Sequence, residues 1–161
     1  MGACGCGKST IAQKLATRLS VPFLEGDQYH SAANKQKMAD KIPLEDADRW
    51  DWLETINRKL IDCETGNSGA VVACSALKES YREILRRSLR QPLKIVFLSV
   101  PREELVARVT RRTSHFMPPE LVDSQLAALE PPANAFIPDP SQLPNDQIDS
   151  LVKWIATSHQ S

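Results

Sequence analysis

Eight residues at the start of the chain, Gly2-Ala3-Cys4-Gly5-Cys6-Gly7-Lys8-Ser9, satisfy the spacing G-x-x-x-x-G-K-[ST]. Glycines at these positions let successive backbone N–H groups curl around phosphate oxygens without side-chain clash. A helix beginning at Lys8 adds its positive dipole end. Lys8 then reaches the β- and γ-phosphates of a nucleotide, and the Ser9 hydroxyl is placed to ligate Mg²⁺. Such a pattern arises by chance in roughly one chain of this length in two hundred. Here it also opens a periodic helix, as a working phosphate loop must. Residues Gly2 to Ser9, with Thr10, are therefore the candidate nucleotide-binding segment. Cys4 and Cys6 are expected to point away from the nucleotide and to take no part in the chemistry.

The remainder of the chain bounds the fold. At 161 residues there is room for one domain, 1–161, and the 42% hydrophobic and 25% charged content is that of an ordinary globule. Twenty basic and twenty acidic side chains cancel, which argues against a nucleic-acid or membrane-surface binder. No apolar run or leader suggests a membrane partner. The four cysteines form no CxxC pair and there are only three histidines, so neither a zinc site nor a disulfide framework is expected. A reduced, cytoplasmic location follows as the expectation.

Apolar spacing predicts alternating helices and short buried strands, hence an α/β fold with a parallel sheet flanked by helices. Helices are expected over Lys8–Leu19, Asp46–Ile61, Lys78–Leu89, from Pro101, over Leu121–Leu129 and around Ile148–Ile155. Strands are expected at Phe23-Leu24, Ala70–Cys74 and Ile95–Leu98. Phe136-Ile137 is a poor strand because Pro138 and Pro140 follow. A phosphate loop of this kind is normally fed by a buried apolar strand, yet Met1 stands one residue before Gly2. The first strand is thus expected to be missing, from a truncated start or a damaged isoform.

Several motifs in order resemble the gluconokinases, small P-loop kinases of nucleoside-monophosphate-kinase-like fold. They are Gly26-Asp27-x-x-His30, Asn34 with Lys37-Met38, Pro43-Leu44-x-Asp46-x-Asp48-Arg49, Cys74-Ser75-Ala76-Leu77-Lys78, Tyr81-Arg82 and His115-Phe116-Met117-Pro118-Pro119. The resemblance runs from Gly2 through Pro132, and the CSALK and YR runs are its most specific part. Departures include Glu25 where Asp is usual, Ser31 for Pro, Lys41 where Gly is common and Ser114 for Gly. None removes a charge that the chemistry needs. The resemblance implies ATP and Mg²⁺ as cofactors, D-gluconate as substrate, and a homodimer.

Asp27 follows a strand end, where open α/β sheets place ligands. Phosphoryl transfer to an alcohol needs a carboxylate to orient the hydroxyl and take its proton late. Asp27 is assigned that role, with an added part in Mg²⁺ ligation through water. Lys8 and Arg112 complete the catalytic set. Arg49, Lys78 and Arg82, with His30 and His115, are the candidates for a polyol carboxylate, Lys78 and Arg82 sharing one helix face. Arg108 and Arg112 match the family positions at a lid over ATP, residues 111–119. Glu45, Asp46 and Asp48 are expected to cap the Trp50 helix. Two alternatives stand beside the kinase reading: a truncated, impaired isoform that binds nucleotide weakly or pairs with a full-length partner, and a kinase for another small acid such as shikimate.

Overall fold

The computed structural model describes residues 1–40, 42–111 and 119–157. Four short strands and seven helices alternate along it. Strand β1 (Phe23–Glu25) pairs in parallel with β2 (Val71–Ala73), Leu24 opposite Val72. Strand β3 (Ile95–Val96) pairs in parallel with β4 (Ala135–Phe136). All four therefore send their C-terminal ends the same way, toward the phosphate loop.

The two pairs are not hydrogen-bonded to each other as strands. Met1 spans the space between them. Its backbone nitrogen donates to the Val96 carbonyl, its carbonyl accepts from Leu98 N–H at 3.0 Å, and Gly2 N–H donates to Ser75 O at 3.2 Å. Met1 thus makes one rung between the two pairs. The Phe136 strand, expected to be poor, does form. An edge strand needs a ladder on one side only, and Phe136 O accepts from Phe97 N–H at 2.9 Å before the chain reaches Pro138.

Helix α1 (Lys8–Leu19) matches its sequence limits and buries Ile11, Ala12, Leu15 and Ala16. Helix α2 (Ala32–Ala39) lacks an apolar stripe and was not expected; Ser31 caps it by accepting Asn34 N–H at 3.1 Å. Helix α3 (Trp50–Thr65) starts later than predicted, after a 3₁₀ turn at Ala47–Arg49. Helix α4 (Glu79–Arg86) leaves Lys78 outside as its N-cap, and α5 (Arg102–Thr110) likewise leaves Pro101 outside. Helices α6 (Pro119–Ala127) and α7 (Pro144–Thr157) complete the order.

Two apolar clusters sandwich the sheet. One gathers Leu15 of α1, Leu105 and Val109 of α5, Val122 of α6 and Leu151 of α7. The other gathers Trp52, Leu53 and Ile56 of α3 with Tyr81 and Leu85 of α4. Val71 packs on the first cluster and Val72 on the second, the alternation a strand covered on both faces requires.

Candidate active site

The phosphate loop is shaped by left-handed glycines, Gly5 at φ 84° and Gly7 at φ 94°, with Gly7 as the N-cap of α1. A Cβ on Gly5 would come within 2.9 Å of Val109 Cγ1 and 3.1 Å of Leu105 O, so the loop is wedged against α5. Arg108, on the same helix, approaches Gly5 O from Nη1 at 3.4 Å while its Nη2 pairs with Glu104 at 2.6 Å. The Cys4 N–H donates to Gln125 Oε1 of α6 at 2.7 Å. Lys8 Nζ donates to Ala3 O at 3.1 Å, folded over its own loop. Cys4 and Cys6 are both buried in the core.

Asp27 lies on the 3₁₀ turn Gly26–Tyr29 that follows β1, and its side chain is exposed. Its position is anchored by its neighbours. Trp52 Nε1 donates to Gly26 O at 2.7 Å, and a Cβ on Gly26 would meet Ala73 O at 2.4 Å. Asp27 follows the C-terminal end of β1, and Gly2 N–H donates to Ser75 O just past the C-terminal end of the parallel strand β2. The Asp27 turn and the phosphate loop therefore share one end of the sheet. The Cys74 thiol is buried there, at the end of β2. Burial pushes that thiol up to about 11, which leaves it unreactive.

His30 is buried and stacks on Trp52, ring centroids 4.2 Å apart at 14°. Its Nδ1 has no hydrogen-bond partner among the described residues. Desolvation holds its pKa below the ordinary value; Asp27 opposes this, and Arg49 and Lys35 reinforce it. Arg49 donates from Nη2 to Leu44 O at 3.0 Å, while its buried Nε is unpartnered among the described residues. Its guanidinium lies 5.8 Å from the centroid of the Tyr81 ring. Two unsatisfied buried polar atoms on one wall are an invitation to a polar ligand.

Lys78 donates from Nζ to both Asp46 oxygens, at 2.8 and 2.7 Å, and Tyr81 Oη donates to Asp46 Oδ1 at 2.5 Å. The lysine and tyrosine hydrogen bonds hold the Asp46 carboxyl below its usual range. Asp48 pairs with Lys37 at 2.6 Å and accepts Glu45 N–H. Neither aspartate caps α3, whose N-cap Arg49 makes no side-chain capping bond; Asp48 instead ties α2, and Asp46 ties α4, to the loop ahead of α3. Arg82 departs from its expected place. It is 1% exposed, donates from Nη1 to Ala76 O and Leu77 O at 2.9 and 3.0 Å, and pairs with Glu79 at 2.7 Å. Because Lys78 stands outside α4, the two cations do not share a helix face. Arg112 and His115, with most of the expected lid, lie outside the described residues.

Sequence reasoning did not find Gln125 behind the phosphate loop, nor Tyr81 and Asp46 as members of this wall. Gln125 lies 121 residues from Cys4 and carries no local signal. Among the described residues no group of three histidine, cysteine or acidic side chains could hold a metal ion alone. A Mg²⁺ here would take most of its ligands from phosphate oxygens and water, and one from the Ser9 hydroxyl.

The family model for shikimate kinase matches residues 4–131. A gluconokinase of Gluconobacter oxydans is 47% identical over 134 residues, covering 83% of this chain and 75% of its own length. Among solved structures, an unliganded sugar kinase from Janibacter superposes with TM-score 0.88 at 35% identity, covering 97% of this chain and 91% of that one. A gluconokinase from Sinorhizobium meliloti superposes with TM-score 0.82 at 36% identity, covering 98% and 94%.

Proposed function

Since the chain belongs to the shikimate-kinase family and, within it, to the gluconokinases, we propose that it transfers the γ-phosphoryl group of ATP to the 6-hydroxyl of D-gluconate, giving 6-phospho-D-gluconate and ADP. The observation that carries this reading is that the turn bearing Asp27 lies at the same end of the sheet as the phosphate loop.

The loop amides and the dipole of α1 hold the nucleotide phosphates, and Lys8 leaves Ala3 O to meet the β- and γ-oxygens. Ser9 supplies the protein's hydroxyl to Mg²⁺, which when bound neutralises phosphate charge. Asp27 accepts the hydrogen bond of the gluconate 6-hydroxyl, aligns its oxygen with the γ-phosphorus and takes its proton late in transfer. Its exposed side chain suits it to that task. Arg49, His30 and Lys78 line the wall that receives the polyol and its carboxylate. Lys78 is fixed by Asp46 and Tyr81, so it meets substrate without ordering cost. Arg108, beside Gly5, and Arg112 close on the nucleotide, with His115 in the lid over 111–119. A single kinase domain, a cytoplasmic location and a homodimer complete the proposal.

The test is release of ADP by the full chain with ATP-Mg²⁺ and either D-gluconate or shikimate. We expect kcat/KM for gluconate to exceed that for shikimate by at least ~10²-fold, since unpaired buried polar groups penalise the wrong polyol. Equal turnover of the two acids overturns the assignment. Negligible turnover of both would favour the impaired-isoform reading.

A further inference from the structure

Among the described residues, three side chains reach the backbone of the phosphate loop. Lys8 Nζ donates to Ala3 O at 3.1 Å, Arg108 Nη1 approaches Gly5 O at 3.4 Å, and Gln125 Oε1 accepts Cys4 N–H at 2.7 Å. The three holds are not equal. Lys8 must let go of Ala3 O before it meets phosphate oxygens, and a donor at 3.4 Å is near the limit of a hydrogen bond. Gln125 is therefore the side chain that grips the loop closely once a nucleotide is bound. The grip matters because Gly5 and Gly7, at φ 84° and 94°, let the peptides beside them rotate at little cost. A rotated peptide aims its N–H away from the phosphates.

Gln125 is itself firmly seated. It stands one turn after the fully buried Val122, and Arg102 of α5 binds the neighbouring Asp123 at 2.6 and 2.9 Å. Past the end of α6 the bonding runs on, from Ala128 N–H to Ser124 O at 3.1 Å and from Leu129 N–H to Leu126 O at 3.3 Å. Glu130 then fastens to the chain on both sides of Lys78. Its N–H donates to Leu77 O at 2.9 Å, and its Oε2 accepts Glu79 N–H at 2.6 Å. One hydrogen-bonded run, 125–130, thus holds the nucleotide's loop at one end and the Lys78 segment at the other.

We propose that Gln125 is a positioning residue for phosphoryl transfer, holding the phosphate loop through Cys4 N–H at a fixed place relative to Lys78. This rests on the kinase reading above and adds a residue to it. Because Cys4 N–H is turned to Gln125, the aim toward phosphate falls to the amides that follow it. With the run anchored at both ends, the γ-phosphorus and the acceptor hydroxyl keep one separation, the condition for in-line attack. Gln125 neither gives nor takes a proton in the reaction; it acts through a peptide plane.

The test compares two variants of the full chain. Gln125→Met keeps the length and removes the carbonyl, while Glu130→Ala loosens the far anchor. Calorimetry measures binding of a non-hydrolysable ATP analogue with Mg²⁺ in the absence of gluconate, and steady-state kinetics with gluconate follows. We expect Gln125→Met to weaken analogue binding by about fivefold and lower kcat by at least ~10-fold, with KM for gluconate within about twofold. Glu130→Ala should do the converse, raising KM for gluconate about fivefold and leaving analogue binding unchanged. Both variants should melt within about 3 °C of the parent.

Unchanged analogue binding and kcat in Gln125→Met would overturn the proposal. So would a loss expressed in KM for gluconate rather than in kcat, the same changes in both variants, or a fall in melting temperature above about 5 °C, which would make Gln125 a structural residue. A parent chain that binds the analogue but leaves gluconate unphosphorylated removes the substrate assignment, and the calorimetric arm then decides the role of Gln125. A parent that binds no analogue overturns both.

Discussion

Asp27 is unusual among the acidic residues of this wall. Asp46 and Asp48 are held by lysines, whereas the Asp27 side chain stands exposed on its turn, with Trp52 fixing only the neighbouring Gly26 carbonyl. An exposed carboxylate on this turn is open to a substrate hydroxyl. Asp27→Asn is therefore expected to lower kcat by at least ~10²-fold, with the KM for ATP and the melting temperature little changed. Steady-state kinetics beside a thermal melt checks this, and near-normal turnover removes Asp27 from its role. The residue was legible because Gly26-Asp27 follows a strand end within one short motif. Arg82 was not, because a buried arginine and a surface one are written with the same letter; only its distant carbonyl partners tell them apart.

Among elements, the connection from β2 to α4 shows what Arg82 does. Ala76 holds a left-handed φ of 44° without being glycine, and the Arg82 guanidinium clamps the consecutive carbonyls of Ala76 and Leu77. That clamp sets where Lys78 leaves the loop to meet Asp46. Arg82→Leu strands two carbonyls and one carboxylate, and should cost about 3 kcal/mol in urea unfolding. Arg82→Lys should recover little of it, since an ammonium cannot serve all three acceptors in one plane. A loss below about 1 kcal/mol would mean the clamp carries no strain. The helices and strands themselves were readable wherever an apolar period existed, as in α1. Helix α2 has none, and the strand at Phe136 was underrated because its prolines fall after the residues that pair with β3. The Asp46–Lys78–Tyr81 cluster joins residues more than thirty positions apart, beyond the reach of local pattern.

For the molecule as a whole, stability should depend on pH through His30. Burial lowers its pKa in the folded state relative to the ordinary value near 6.5. Below that value the unfolded chain binds a proton that the folded chain resists, so stability falls as pH drops. His30→Phe keeps the stack on Trp52 and removes the titration. Urea midpoints at pH 7.5 and 5.5 should therefore differ less in the variant than in the parent; an unchanged difference would assign the slope to other groups. What the sequence could not convey at this scale is how the sheet closes, because a chain shows neither the width of a gap nor what lines it.

The wedge between Gly5 and Val109 has a mechanical meaning. With Leu105 and Val109 bearing on the loop from one helix and Arg108 reaching its carbonyl, α5 acts as a lever whose short arm is the anion cradle. The long arm runs on to Arg111, the C-cap of the helix. Any tilt of α5 is geared, through a contact too tight for a methyl group, to a change in the aim of the loop amides.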